Sequence, residues 1–331
     1  MSETAFIITI DTEGDDLWAK PREITTRNAA YLPRFQRLCE RFDFKPVYLV
    51  NFEMAMSDEF VDFGRDVLRR LVGEIGMHLH AWNSPPLEPL TEDDFHHQPY
   101  LIEFSERMMR EKIKAMTGLL EDRFNQGVTS HRAGRWALDG RYAAMLIDEG
   151  YQVDCSVTPG VDWSRHLGAP NGGGGVNYTT FPDQPYFLDP ADVSRPTAGA
   201  LLEVPVTTRA SSLSRLAPWA YRIPVLRQAA NRLVSPALSW LCPSETTLAM
   251  MLNVAHRART NGAIHLQFAL HSSQLMPGGS PHYRNASDID RLYDELEILF
   301  ETLSTWCYGS TLKEFRARFG SSTDLASRLA A

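Results

Sequence analysis

The stretch AFIITID, at residues 5–11, is mostly apolar until its last position, Asp11, and a second acidic residue, Glu13, follows two positions later. A short apolar run that stops at polar residues is typical of a buried β-strand. Alternate residues of a strand point to the same side, so Asp11 and Glu13 are expected to point to one place. The beginning of the chain therefore predicts a buried strand that carries two carboxylates at its end.

Strand-like and helix-like segments alternate after this first strand. Further strand-like segments lie at 45–51, 74–80, 127–133, 151–157, 200–208 and 263–271. Helix-like segments lie at 29–42, 60–72, 102–124, 141–150 and 288–305. Such alternation is typical of βα units, which form a parallel sheet or a barrel. No linker separates two halves, so the sequence predicts a single domain over 1–331.

Two segments depart from this regular order. The first, near 158–198, is rich in glycine and proline and is expected to be a loop insertion, either a functional cover or an insertion without a role. The second, near 209–242, is a basic amphipathic segment with five arginines and no acidic residue. Such a segment can contact a membrane surface or an anionic substrate, or it can pack on its own domain.

The composition excludes several classes of protein. With a formal net charge of -8, a pI of about 5.7 and no dominant basic run, the chain does not resemble a nucleic-acid binder. Its four cysteines have no paired spacing, which indicates reduced thiols rather than a disulfide framework. No signal peptide or membrane-spanning run is visible. These observations predict a cytoplasmic protein.

Histidines follow the pattern set by the two carboxylates. His78 and His80 lie two positions apart at the end of one predicted strand, and His271 ends another. The carboxyl ends of parallel strands converge in α/β folds. A carboxylate with two imidazoles suits Zn²⁺, with Co²⁺, Ni²⁺, Fe²⁺ or Mn²⁺ as alternatives. A second carboxylate can then act as a base and a further histidine as an acid. The alternative is that each pair is structural.

Six short motifs in chain order carry a family resemblance. They are TIDTEG (9–14), GEIGMHLH (73–80), SHRAGRW (130–136), GYQVDCSV (150–157), LLEVPVT (201–207) and LHSSQLMPG (270–278). Together they resemble motifs of the polysaccharide deacetylase family, also called the NodB-homology family of carbohydrate esterases. The resemblance implies a distorted (β/α) barrel with about seven parallel strands, and metal-dependent removal of acyl groups from amino sugars.

The resemblance also implies which residues bind the metal. It assigns Glu13, His78 and His80 as ligands, in a divergent branch with an acidic-x-acidic first motif and with the second histidine at i+2 rather than i+4 of the histidine motif. Asp15 or Asp16 could replace Glu13, although both lie beyond the strand end. The ligand set would hold a divalent ion, with Zn²⁺ as the first choice.

The catalytic roles come from the same resemblance. Asp11 would be the general base and His271 the acid that protonates the leaving group. Arg132 would orient Asp11, and Asp154 would help to hold Asp11 or His271 in place.

Trp82 and Trp136 lie beside two of these motifs and could stack on a sugar ring, or they could pack in the core or at the rim. The leading hypothesis is a hydrolase that removes an N-acetyl or O-acetyl group from a saccharide or glycoconjugate precursor. Two alternatives are a metal-dependent hydrolase of a non-sugar amide or formamide, and a non-catalytic saccharide-binding homologue. The sequence does not define the sugar, the linkage or the oligomeric state.

Overall fold

A computed structural model describes residues 4–210 and 238–320 of the chain. The strands in these ranges are β1 (Thr4–Thr12), β2 (Val47–Val50), β3 (Glu74–Leu79), β4 (Ser130–Ala133), β5 (Val153–Asp154), β6 (Tyr186–Asp189), β7 (Asp192–Pro196), β8 (Leu202–Glu203), β9 (Thr208–Ala210), β10 (Leu238–Trp240), β11 (His265–His271) and β12 (Cys307–Gly309). The α-helices with both ends in these ranges are α1 (Leu32–Glu40), α2 (Phe52–Ala55), α3 (Asp58–Arg69), α4 (Asp94–His97), α5 (Glu106–Phe124), α6 (Gly140–Asp148), α7 (Leu248–Thr260) and α8 (Ala286–Ser304).

Seven parallel strands form the body of the main sheet, in the order β11-β1-β2-β3-β4-β5-β8. β12 lies beside the start of β1, and the antiparallel pair β6 and β7 extends the other edge. After β8 the chain approaches the opposite edge, where the Thr207 hydroxyl accepts a hydrogen bond of 2.8 Å from the backbone N–H of Gln267 in β11. The sheet therefore curls towards closure, and the predicted distorted barrel is confirmed.

The alternation of β1 separates two apolar clusters. Ile8 and Ile10 pack outwards against the helices, whereas Ala5 and Ile7 face the barrel interior. Leu312 and Phe315, from a helical segment over 312–320, pack into the interior cluster near the amino ends of the strands. Apolar side chains thus fill one end of the barrel, which leaves its carboxyl end for polar residues.

The five predicted helices are present, with ends shifted by a few residues. Pro33 lies in the first turn of α1, where a backbone N–H has no helical partner to lose. Ser105 caps α5 by accepting a hydrogen bond from the backbone N–H of Met108, which starts that helix later than predicted. Helix α7, however, was not predicted, because its mixed small, apolar and basic residues give a weak pattern.

The predicted insertion near 158–198 has two parts. Residues 158–178 form a loop with a single antiparallel bridge between Asp162 and Asn177. The hairpin of β6 and β7 follows and joins the sheet. This hairpin was not predicted, since short and partly exposed strands are hard to distinguish from loops in a sequence.

The basic amphipathic segment near 209–242 falls mainly on residues 211–237, which lie outside the described residues. Its two ends, β9 and β10, pair with each other as a short antiparallel ribbon. Within residues 4–210 and 238–320, no helix has both the length and the apolar character that crossing a membrane requires. All four cysteines lie in these ranges, where each is buried and free of a disulfide bond.

Candidate metal centre and active site

The register of the sheet places the predicted site residues at one level. Asp11 in β1 lies directly opposite His271 in β11, and His78 in β3 lies opposite Arg132 in β4. Both pairs are at the carboxyl ends of parallel strands, where the barrel opens. Residues separated by up to 260 positions in the chain are therefore brought to one mouth.

Glu13, His78 and His80 form a compact cluster at this mouth. One potential ligand atom from each side chain lies within 4.8 Å of the other two, and all three residues are buried. The Nε2 atoms of the two histidines are 3.2 Å apart, and the Glu13 Oε2 atom is 3.0 Å from that of His80 and 3.6 Å from that of His78. The structure thus brings together the three side chains that the family resemblance assigns to a metal.

The hydrogen bonding of His78 suits metal binding. Its Nδ1 atom lies 3.0 Å from the carbonyl oxygen of Arg132, which can only accept, so Nδ1 carries the proton. In the neutral ring, the Nε2 lone pair then faces Glu13 and His80. Metal-binding histidines commonly have this arrangement. The donor set of one carboxylate and two imidazole nitrogens therefore fits a divalent cation such as Zn²⁺.

The electrostatics of the cluster also favour a cation. Burial opposes protonation of His78, but the carboxylates of Asp11 and Glu13 outweigh this effect and raise its pKa. Burial lowers the pKa of His80, whose imidazole is therefore neutral near pH 7. Arg132 balances the charge of Asp11, so the carboxylate of Glu13 is the negative charge that a bound cation would compensate.

Asp11 is held by a fully buried arginine. Nη1 of Arg132 donates a hydrogen bond of 2.5 Å to Oδ1 of Asp11, while Nη2 binds the Thr9 hydroxyl at 2.8 Å and Nε binds the Cys155 carbonyl at 3.1 Å. Burial opposes ionisation of Asp11, but Arg132 and the nearby imidazoles outweigh it, so the pKa of Asp11 lies below its ordinary value. Asp11 is consequently ionised at neutral pH and fixed in orientation.

His271 lies across the same opening. Its Nε2 atom is 3.8 Å from Oδ2 of Asp11 and 3.7 Å from Oε1 of Glu13, and about a quarter of its side chain is exposed (27%). The ring of Trp18 lies edge-to-face against it, with centroids 4.9 Å apart. His271 can therefore reach a bound molecule on the open side of the cluster.

Asp154 ends its strand as predicted, but its carboxylate has other partners than the predicted ones. Its carboxylate binds Nδ1 of His131 at 2.6 Å and the hydroxyl of Ser156 at 3.0 Å, in the core of the protein. Asp154 is aligned with His131 in the sheet, and His131 points to the opposite side of β4 from Arg132. The expectation that Asp154 holds Asp11 or His271 therefore needs correction, since its carboxylate supports His131 instead.

The two acidic residues that follow the first motif do not join the cluster. The carboxylate of Asp15 accepts hydrogen bonds from Thr25, from Arg27 and from the backbone and side chain of Asn28. These bonds organise the loop after β1. Asp16 adopts a left-handed backbone conformation (φ 44°) at the start of a short 3₁₀ turn. The cluster of potential ligands includes Glu13 rather than either of them.

A cavity of about 330 Å³ opens above the cluster and is lined by aromatic side chains. Trp82 and Trp136, the two predicted stacking residues, both line it. So do Trp18, Trp163 and Tyr100, which the sequence did not single out. The only sequence signal for Trp163 was a large aromatic residue in a glycine-rich insertion. Four of the six tryptophans in the described part of the chain therefore line this one cavity.

The third motif holds one wall of the cavity in an unusual backbone conformation. Arg135 and Trp136 are consecutive non-glycine residues with positive φ angles of 55° and 64°. Arg135 donates a hydrogen bond of 3.0 Å to the carbonyl of Leu167 and lies over the ring of Tyr100, 4.1 Å from its centroid. Backbone conformations of this kind are costly and concentrate at functional sites.

The loop over 158–178 covers part of the cavity. Trp163 and His166 from this loop line it, and the Tyr100 hydroxyl donates a hydrogen bond of 2.7 Å to the His166 carbonyl. The Trp163 indole N–H is in turn bonded to the Thr158 hydroxyl at 2.9 Å. The loop therefore forms part of the wall of this cavity.

No protein-family model and no curated protein matches the sequence. Solved structures do match over nearly the whole chain. A protein described as a polysaccharide deacetylase from Mycobacterium smegmatis is 14% identical with a TM-score of 0.53, and the match covers 98% of this chain and 92% of that one. A protein described as a glycoside hydrolase/deacetylase from Parabacteroides distasonis is 11% identical with a TM-score of 0.60, and the match covers 96% of this chain and 71% of that one. Puue allantoinase is 12% identical with a TM-score of 0.52, and the match covers 96% and 90%.

The chain has the fold of the polysaccharide deacetylases. At these identities the likeness concerns the backbone, and it supports the resemblance that the short motifs suggested. In this deacetylase-like barrel, Trp82 occupies the position four residues after His78 and lines the cavity, with its ring centroid 5.5 Å from that of His80. His80 is thus the second imidazole of the cluster.

Proposed function

We propose that the protein is a metal-dependent hydrolase, a divergent member of the polysaccharide deacetylase family, with one catalytic domain over 1–331. It would remove an N-acetyl or O-acetyl group from a saccharide or glycoconjugate. The observation that carries the proposal is the buried cluster of Glu13, His78 and His80, with Asp11 and His271 beside it at the floor of one cavity.

The residues around the cluster can perform the proton transfers of hydrolysis. A divalent cation held by Glu13, His78 and His80 would lower the pKa of a water molecule to about 7 and polarise the acyl carbonyl. Asp11, ionised and fixed by Arg132, accepts the proton of the attacking water. His271 donates a proton to the leaving amine or hydroxyl, which its partial exposure at the cavity allows.

The aromatic walls of the cavity support a saccharide as the substrate. The apolar faces of sugar rings pack well on indole rings. The N–H at the edge of the indole remains available for a hydrogen bond. The cavity volume of about 330 Å³ suits a small ligand or one unit of a larger one. Trp82, Trp136 and Trp163 would surround the sugar while its acyl group reaches the cluster.

The test is metal analysis combined with an assay for acetate release from N-acetylated and O-acetylated saccharides. A double variant, His78→Ala with His80→Ala, is expected to lose its bound metal and its activity together. The matched control is His96→Ala with His97→Ala, since these neighbouring histidines of α4 lie outside the cluster. Equal metal content in the wild type and the His78/His80 variant would refute the proposed ligand set.

A second candidate keeps the cluster and changes the substrate to a small non-sugar amide. The fold shared with Puue allantoinase favours testing it, because that name denotes an enzyme that acts on a small molecule rather than on a saccharide. Parallel assays with acetylated sugars and with small amides or formamides separate the two candidates. Turnover of the amides alone would select the second.

A further inference from the structure

Glu53 is a partly buried acidic residue that the proposed chemistry does not use. It lies in α2, just after the end of β2, where the Asn51 side chain caps the helix by accepting a hydrogen bond of 2.9 Å from the backbone N–H of Phe52. The Glu53 side chain does not line the cavity. Its carboxylate instead points into the loops that carry the potential metal ligands.

The carboxylate of Glu53 connects three of these loops through hydrogen bonds. Oε1 accepts a bond of 2.6 Å from the backbone N–H of Gly14 and one of 3.3 Å from Nδ2 of Asn51. Oε2 accepts a bond of 2.9 Å from Nδ2 of Asn83. The loops after β1, β2 and β3 are therefore joined at one side chain.

Two of these bonds lie next to the cluster. Gly14 directly follows Glu13, and Asn83 lies three residues after His80. A Cβ atom at Gly14 would lie 2.1 Å from Ile24 and 3.2 Å from Oε1 of Glu53, so only glycine allows the backbone to approach this closely. The carboxylate of Glu53 thus restrains the chain on both sides of the proposed metal site.

The other contacts of Glu13 come from a different direction. The hydroxyl of Ser272 accepts a hydrogen bond from the backbone N–H of Glu13 and donates one to its carbonyl, both at 3.1 Å. Nδ2 of Asn28 donates to the same carbonyl at 2.9 Å. The Glu13 carbonyl and the Gly14 N–H belong to the same peptide unit, so Ser272 and Asn28 hold its oxygen while Glu53 holds its N–H.

We propose that Glu53 is a positioning residue that sets the separation between Glu13 and His80 for a divalent cation. The proposal rests on the proposed function, because it assumes that this cluster binds a metal. Removing a residue that orients a metal ligand without touching the metal commonly lowers metal affinity about 10- to 100-fold. Glu53 would act in this way through the backbone of one ligand and the loop of another.

The test measures Zn²⁺ and Co²⁺ affinity by competition with a chelator, together with the absorption spectrum of the Co²⁺ form. Glu53→Gln replaces one acceptor oxygen by an NH₂ group. That donor then faces the N–H of Gly14 or of Asn83, with which it cannot form a hydrogen bond. We expect affinity to fall about 10-fold or more. Adding Asn83→Asp restores an acceptor for that amide, so the E53Q/N83D double variant is expected to recover most of the affinity and the wild-type Co²⁺ spectrum.

Glu74→Gln is the matched control. Glu74 is also buried and accepts hydrogen bonds, from the Ser130 hydroxyl and the backbone N–H of Lys313, but it lies at the opposite, amino end of β3. We expect E74Q to lower the melting temperature of the metal-free protein without a change in metal affinity or in the Co²⁺ spectrum.

The outcomes test the role of Glu53 separately from the presence of the metal centre. Wild-type affinity in E53Q, or an equal loss in E74Q, would overturn the role of Glu53 and leave the metal centre intact. Failure of the double variant to recover would also count against the proposed geometry. A wild-type protein that binds neither ion would overturn both this role and the proposed function.

Discussion

Neighbouring residues of β4 take part in two charged networks with different surroundings. Arg132 holds Asp11 at the floor of the cavity, while His131, one position earlier, holds Asp154 in the core. The side chains of His131 and Asp154 have no solvent exposure, and Nε2 of His131 also lies 2.7 Å from the Tyr142 hydroxyl. Each network contains an aspartate and a histidine. The network of Asp11 opens into the cavity, whereas that of Asp154 is sealed from it.

The electrostatics of the sealed network indicate a structural role. Burial opposes ionisation of Asp154, but His131 and the hydrogen bonds from Glu203 and Ser156 outweigh it and keep the pKa of Asp154 below its ordinary value. Burial lowers the pKa of His131. Both groups are satisfied by protein partners, so this network has no group left for a substrate. In the network of Asp11, by contrast, the side chain of His271 is partly exposed to the cavity.

The largest expected effect is on the open network. Asp11→Asn removes the proposed base while keeping the size of the side chain, and we expect kcat for deacetylation to fall about 10²- to 10⁴-fold. The metal content should stay the same, because Asp11 is not among the proposed ligands. Acetate release and metal analysis of the same preparations check both points. Equal activity of the variant and the wild type in every assay would favour a non-catalytic saccharide-binding protein.

The sealed network should respond in stability rather than in turnover. His131→Ala leaves Asp154 buried without its main partner, and we expect the free energy of unfolding to fall by about 3–5 kcal/mol. Denaturant unfolding of the metal-free protein measures this loss. The KM of the folded variant should change little. A variant with unchanged stability and a large loss of kcat would show that the two networks are not separate in function.

Lys112 provides a third case for the comparison of the two networks. It is a buried charge that is hydrogen-bonded to neutral carbonyls rather than to a carboxylate. Its Nζ atom donates to the carbonyls of Ser84 and Pro86 at 2.7 and 2.6 Å, and burial lowers its pKa from 10.5 to about 8. The unfolded chain therefore binds more protons than the folded protein between about pH 8 and 10.5, and stability gains from this group as pH rises through that window.

The matched comparison is Lys112→Met, which has no charge to titrate. From pH 8 to 10.5 the wild type should gain on the order of 3 kcal/mol of unfolding free energy relative to the variant. Denaturant unfolding across this range measures the difference. A constant difference between the two proteins would mean that the ammonium group is not held in a desolvated site.

The smallest expected effect concerns the cover of the cavity. Trp163→Ala removes one aromatic wall, and the loss of roughly 1–1.5 kcal/mol of stacking corresponds to about a 10-fold rise in KM. kcat should change less, since Trp163 has no part in the proposed proton transfers. Trp306→Ala is the control, because Trp306 packs against Arg259 away from the cavity. An equal rise in KM for both variants would argue against a stacking role.

The sequence by itself predicted a parallel sheet or a barrel and the pairing of the site residues, and the resemblance of six short motifs added the distorted barrel and the proposed ligand roles. Alternation within strands puts Asp11 with Glu13 and His78 with His80, and the alternation of strands and helices makes the sheet parallel, so their ends meet. Both are local, periodic properties that a single chain displays. The same periodicity separates Arg132 from His131.

Only the tertiary structure decided which partners these residues have. The family resemblance assigned Asp154 to the open site, but the pairing of its strand with β4 places its carboxylate against His131. The roles of Trp163 and Glu53 depend on how loops remote in sequence pack together. Such contacts depend on the three-dimensional packing of nonrepetitive segments, which have no periodic signal for a sequence to display.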